Sequence, residues 1–173
     1  MNNLILTPEI LTAENFSQFG QVISREQKDF LTINNGYAKK YPDLATIDTH
    51  EDGGSTTVNI YVAKKRQFPL HIKMLEKHPF FSQTFIPKDN QPFLIVVAPA
   101  SDEPNIKDIR AFITNGEQGV NYSRGVWHFP LISVKDDVQF IVIDRKHVID
   151  SDDIEQCIVH PIEHSNITLE FSL

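Results

Sequence analysis

The chain has a single cysteine, Cys157, among 173 residues. No intrachain disulfide can form, which fits a reducing compartment, and a cytoplasmic protein is expected. Long hydrophobic runs are missing: a segment such as Phe93 to Ala98 falls far short of the roughly 20 apolar residues a spanning helix needs, so no membrane association is expected. The start, MNNLILTPEIL, lacks the basic region and extended apolar core of a signal peptide. Positive charge is in deficit, with 16 basic against 23 acidic residues and a net charge of −7. A phosphate-binding surface must be basic, so nucleic acid is excluded as the main partner. There is no Walker loop, dinucleotide fingerprint or nucleophile elbow. Repeats, low-complexity stretches and linkers are also absent. The expectation is one domain over 1–173, with 145–173 an acidic C-terminal tail packing on the body of the domain or on a partner subunit.

What is present is β-rich. Twelve phenylalanines and ten prolines stand beside only seven glycines, a composition of strands and corners. Period-two alternation and short apolar runs predict strands at Leu4–Leu6, Val22–Ile23, Phe30–Ile33, Thr56–Val62, Leu70–Glu76, Ser82–Ile86, Phe93–Ala98, Ile109–Thr114 and Val138–Ile143. Thr56, Val58, Ile60 and Val62 share one face of their strand, and Thr57, Asn59 and Tyr61 the other. Phe93–Ala98 reads as a strand buried on both faces. Thr12 caps an expected short helix from about Ala13 to Gln18, with Phe16 and Phe19 on one face. Asn34-Asn35-Gly36 predicts a tight turn. Ile167–Phe171 reads as an edge strand or a swapped tail. About ten short strands with little helix predict an all-β sandwich or barrel.

The chain is organised around Asn115–Pro130, NGEQGVNYSRGVWHFP, which holds three glycines, the only tryptophan and a histidine. Gly116 and Gly119 read as turn positions, and Trp127 as core. Two histidine clusters, about fifty residues apart, carry the chemistry. The first is Glu76-x-His78-x-x-x-x-Gln83 and the second is Gly125-x-x-His128. Alternation puts Glu76 and His78 on one side of a strand, as two metal ligands or two catalytic groups require. Imidazole and carboxylate suit a borderline divalent metal, and histidine suits proton transfer near neutral pH. The plain alternative is a turn histidine before Pro79 and a core histidine beside Trp127. The remaining histidines (His50, His71, His147, His160, His164) read as surface, and Cys157 as a poor nucleophile. Lys64-Lys65-Arg66 is either a solvated turn or an anchor for an anionic ligand.

The spacing of the two clusters resembles the paired motifs of the cupin superfamily, with Glu76, His78, Gln83 and His128 at the four ligand positions. A longer set of phrases resembles the ureidoglycolate lyase family: Phe30-x-x-Ile33-Asn34-Asn35-Gly36, Leu75-Glu76-Lys77-His78-Pro79, Gln83-x-Phe85-Ile86-Pro87, RAFITNGEQGVNY at 110–122, and Val126-Trp127-His128-x-Pro130-Leu131. That resemblance covers roughly residues 4–144. It implies a cupin-type double-stranded β-helix, or jelly-roll barrel, and a homodimer. It also implies cleavage of (S)-ureidoglycolate to glyoxylate and urea in allantoin degradation, with nickel as a cofactor. Carried onto this chain, it makes Glu76, His78, His128 and Tyr122 the catalytic candidates. Glu76, His78, Gln83 and His128 become the candidate metal ligands, and Asn115, Arg124, Lys77 and Asn34 the candidate substrate contacts. Members often carry arginine where Val62 stands, and can carry a second histidine where Phe129 stands. Another cation must then hold the substrate carboxylate here, from among Lys64, Arg66, Lys77 and Arg124. A cupin acting on, or sensing, another small 2-oxo or 2-hydroxy acid is the competing reading.

Overall fold

The apolar run at 93–98 shows how the molecule is layered. All six residues are buried, but they serve two different cores. Phe93, Ile95 and Val97 face one core with Phe16, Phe112, Val120 and Phe140. Leu94, Val96 and Ala98 face a second with Leu6, Leu75, Trp127 and Leu169. A strand with apolar layers on both sides cannot alternate with polar residues, and this one does not.

The computed structural model describes residues 3–146, 156–162 and 166–172. In chain order the strands are β1 (Leu4–Leu6), β2 (Glu9–Ile10), β3 (Gly20–Ile23), β4 (Leu31–Ile33), β5 (Ala38–Lys40), β6 (Thr56–Ala63), β7 (Leu70–His71), β8 (Met74–Lys77) and β9 (Gln83–Pro87). They continue as β10 (Phe93–Ala98), β11 (Arg110–Ile113), β12 (Gly119–Tyr122), β13 (Trp127–His128), β14 (Ile132–Ser133), β15 (Val138–Arg145), β16 (Ile158–Pro161) and β17 (Ile167–Leu169). One large sheet runs β16-β8-β13-β10-β11-β2, with β14 also on β10. The second runs β3-β12-β9-β15-β6. The chain passes between these sheets at β8–β9–β10, β11–β12–β13 and β14–β15. This wrapping makes an all-β jelly-roll barrel with the first core inside it. The second core lies outside, under a small sheet of order β1-β17-β7.

Several local expectations are corrected. No α-helix forms at 13–18. Thr12 and Asn15 bond reciprocally, side chain to backbone, and close a turn. Phe16 and Phe19 are fully buried and pack on Phe112 at 5.7 and 5.8 Å between ring centres, so aromatic docking sets the path of the backbone. The run at 70–76 is not one strand. At Ile72 and Lys73 the chain leaves β17 and joins the large sheet, since Ile72 N–H donates to the Ile167 carbonyl and Ile162 N–H to that of Lys73. β17 is the central strand of the small sheet, not an edge. Gly116 turns as expected, at φ +94°, but Gly119 lies inside β12. There a Cβ would stand 2.7 Å from the Phe85 carbonyl oxygen, so glycine lets two strands approach closely. The acidic residues Asp150, Asp152, Asp153 and Glu155 lie outside the described residues. Among the described residues no helix is long and apolar enough to cross a membrane.

Candidate active site and metal centre

Strand alternation builds the site. On β8, Leu75 packs in the outer core while Glu76 turns into the barrel. On β13, Trp127 packs in the outer core while His128 turns inward. The two strands pair with His128 directly opposite Glu76. His78, one residue past β8, keeps the same parity. One ligand atom from each of Glu76, His78 and His128 lies within 4.8 Å of the others.

Backbone carbonyls fix both imidazoles. His128 Nδ1 donates to the Val126 carbonyl at 3.1 Å, and His78 Nδ1 donates to the Gln156 carbonyl at 3.0 Å. With Nδ1 protonated, each Nε2 carries the lone pair. Both Nε2 atoms are buried without a hydrogen-bond partner, and His128 Nε2 stands 3.7 Å from a Glu76 oxygen. Two orphaned lone pairs beside a carboxylate are a donor set for a divalent cation, and carbonyl bonds at the far ring nitrogens are the usual support for such ligands. The residues therefore fit a metal.

Electrostatics agrees with that fit. Burial and the neighbouring His78 push the His128 imidazole down to about 3, so the ring is neutral at physiological pH. Burial raises the Glu76 carboxyl, opposed by His78 and by the Cys157 thiol, whose sulfur lies 3.8 Å from Glu76 Oε2. The Tyr122 ring stacks on His128 at 4.6 Å between centres. Burial, with Glu76 adding to it, raises its phenol and keeps it protonated.

A cavity of about 610 Å³ opens beside the cluster, lined by Glu76, His78, Gln83, Tyr61 and the basic run Lys64-Lys65-Arg66 among others. Of the four candidate cations, Lys64 and Arg66 line it; Lys77 and Arg124 do not. Lys77 alternates with Glu76 and His78 and so faces the other way. Its ammonium donates to the Ser101 and Asp102 carbonyls at 2.7 and 3.1 Å. Arg124 pairs with Glu51 at 2.6 Å and Asp48 at 3.7 Å. Asn115 accepts from the Glu117 and Gln118 N–H groups, which fixes its turn. Asn34 lies at the exposed tip of the β4–β5 hairpin with φ +53°. None of these last four lines the cavity.

Two residues of this region escape the motifs. Tyr61 is on the inward face of β6, and its phenol is raised by burial, then by Asp144 and Glu76. Asp144 is buried on β15. It falls in phase with Val138, Phe140 and Val142, all buried. An acid continuing a buried apolar register is a readable signal, and it was available in the sequence.

The sequence profile of the family described as Ureidoglycolate lyase matches residues 3–166. A protein named ureidoglycolate lyase from Pseudomonas paraeruginosa is 48% identical over 137 residues, covering 79% of this chain and 81% of that one. Its namesake from Azotobacter vinelandii is 47% identical over 141 residues, covering 82% and 85%. One from Pseudomonas putida is 46% identical over 145 residues, covering 84% and 86%. Among solved structures, RmlC from Streptococcus suis in complex with dTDP-D-xylose overlaps 84% of this chain and 74% of that one, at 12% identity and a TM-score of 0.46. On the profile match and these identities, the chain belongs to the ureidoglycolate lyase family.

Proposed function

We propose that the barrel cavity binds ureidoglycolate and cleaves it to glyoxylate and urea, as a step of allantoin breakdown. The observation that carries this reading is the convergence of Glu76, His78 and His128, with both Nε2 lone pairs unclaimed, beside a basic rim.

The substrate is a carbinol-urea bearing a carboxylate. Its hydroxyl must lose a proton as the C–O bond becomes C=O, the C–N bond breaks, and the departing urea nitrogen gains a proton. Lys64, Lys65 and Arg66 supply the charge to hold the carboxylate. Without a metal, Glu76, its carboxyl raised by burial, is matched to take up the hydroxyl proton, with His78 beside it as the second proton-transfer group. Tyr61, kept protonated, is a hydrogen-bond donor on the cavity wall, and Tyr122 stacks behind His128 in the core. His128, a very weak base at about 3, serves as a lone-pair donor. A divalent metal, nickel in the family's pattern, would be held by Glu76, His78 and His128 with Gln83 as a further ligand. When bound it supplies Lewis acidity toward the substrate oxygen.

The reading includes a homodimer. β6 is the edge of its sheet, and its apolar side faces outward: Val58 is 66% exposed, Ile60 54% and Val62 60%. Ile86, Ile141 and Ile143 share that outer face through the registers β9–β15 and β15–β6. A second copy of the chain is the occupant that would bury this patch.

The test is a coupled assay for urea and glyoxylate released from racemic ureidoglycolate, with and without chelator. Release of both products is expected. No release overturns the lyase reading, and full activity in chelator overturns its metal version.

A further inference from the structure

We propose that Asp144 is a positioning residue that orients the amide of Gln83, so that Gln83 presents its carbonyl oxygen to the cavity it shares with Glu76 and His78. This rests on the reading of that cluster as a metal centre.

Asp144 is 7% exposed, and among the described residues no lysine or arginine pairs with it. Burying a carboxylate is costly even with the imidazole of His78 nearby, and an apolar residue would continue the wall formed by Val138, Phe140 and Val142. The carboxylate is instead flanked by two amides. Asn59 Nδ2 donates to Oδ1 at 2.9 Å from the edge strand β6, and Gln83 Nε2 approaches Oδ2 at 3.5 Å from β9 on the other side.

The chemistry of an amide makes this pair directional. One end of the group has N–H donors and no lone pair for a cation; the other has an oxygen with two lone pairs. Left alone, a glutamine amide can turn either end toward a ligand. A carboxylate only accepts, so Asp144 claims the nitrogen end and leaves Oε1 for the cavity. Asn59 in turn holds the carboxylate, so the orientation of Gln83 is set by a chain of side chains running Asn59, Asp144, Gln83. On β15 the interior register makes this possible, because Asp144 pairs with Thr57 of β6 and directly follows Ile143, the last residue paired with β9.

Asp144 thus acts through Gln83, and two readouts test it without substrate. Isothermal titration with Ni²⁺ or Mn²⁺ alone is run on chelator-stripped, full-length protein: wild type, Asp144→Asn, Asp144→Leu, Gln83→Leu and the double variant Asp144→Leu/Gln83→Leu. Loss of an outer-shell support of this kind costs about 10–100-fold in metal affinity. That loss is expected for Asp144→Leu, and a smaller one for the isosteric Asp144→Asn, whose amide tolerates either orientation of Gln83. In the Gln83→Leu background, changing Asp144 should cost nothing further, a coupling that a general structural role would not show. Wild-type affinity in both Asp144 variants overturns the proposal, as does an Asp144 effect that persists undiminished without Gln83. Asp144→Asn keeps size and shape, so the question stays answerable if the leucine variant does not fold. A wild-type chain that binds neither cation also overturns the proposal, whereas intact metal coupling without urea release overturns only the lyase reading.

Discussion

Replacing His128 by asparagine should flatten the acid side of the stability profile by an amount the structure fixes. The imidazole ordinarily titrates at 6.5, and in the barrel it is held down to about 3. The sign follows from proton uptake. As pH falls through 6.5 the unfolded chain binds a proton at this residue, and the folded chain does not until near 3. Stability present above pH 6.5 is therefore lost on acidification, at up to about 1.4 kcal/mol per pH unit. Between pH 7 and pH 5 the loss is about 2 kcal/mol, or roughly 4–8 °C in Tm for a chain of this size. Glu76 and Asp144 tilt the curve the other way. Their carboxyls are raised on folding, so they favour the folded state at low pH and lose that contribution as pH rises. Both carboxyls are present in the two proteins, so the difference between wild type and His128→Asn reports mainly the imidazole. Asparagine also keeps an N–H near the Val126 carbonyl that His128 uses. Urea unfolding in the presence of chelator, at half-unit steps from pH 7.5 to 4.5, measures the effect. Parallel curves for the two proteins would refute the claim that a buried, neutral His128 sits in this site.

Two further outcomes follow from the surface of the molecule. Lys64→Ala combined with Arg66→Ala should raise KM for ureidoglycolate about tenfold or more, since each lost factor of ten is about 1.4 kcal/mol of binding; an unchanged KM would remove the basic run from carboxylate recognition. Ile60→Asp places a charge in the middle of the outward apolar stripe of β6, and sedimentation should show a dimer converted to monomer; an unchanged sedimentation coefficient would place the interface elsewhere.

Much of the site could be read from the chain because its members follow strand parity. Glu76 and His78 are two apart, so any strand puts them on one side, and the Gly-x-x-His spacing points to His128 as their companion. Lys77 fails as a cavity residue by the same rule, since it lies between them. Asn115 was harder to read, because an asparagine before a glycine serves a turn as readily as a ligand, and only its bonds to the Glu117 and Gln118 N–H groups decide. The helix expected at 13–18 failed because a capping pair and two phenylalanines three apart are satisfied by a turn docked on Phe112.

The sequence alone determined the period of the long strands, the all-β class, the two histidine clusters and the double-sided burial of 93–98, because these depend on chemistry local to the chain. Which face of each strand meets the core was decided by the tertiary structure. On β6, alternation divides Val58, Ile60 and Val62 from Asn59 and Tyr61 without saying which set is inside. The fold turns the polar set inward, where Asn59 meets Asp144 and Tyr61 meets Phe85, and leaves the valines and isoleucine on an open edge. Periodicity carries two faces and no sign. The sign comes from the neighbouring strands, here β15, whose own Phe140, Val142 and Asp144 fix which side is inside.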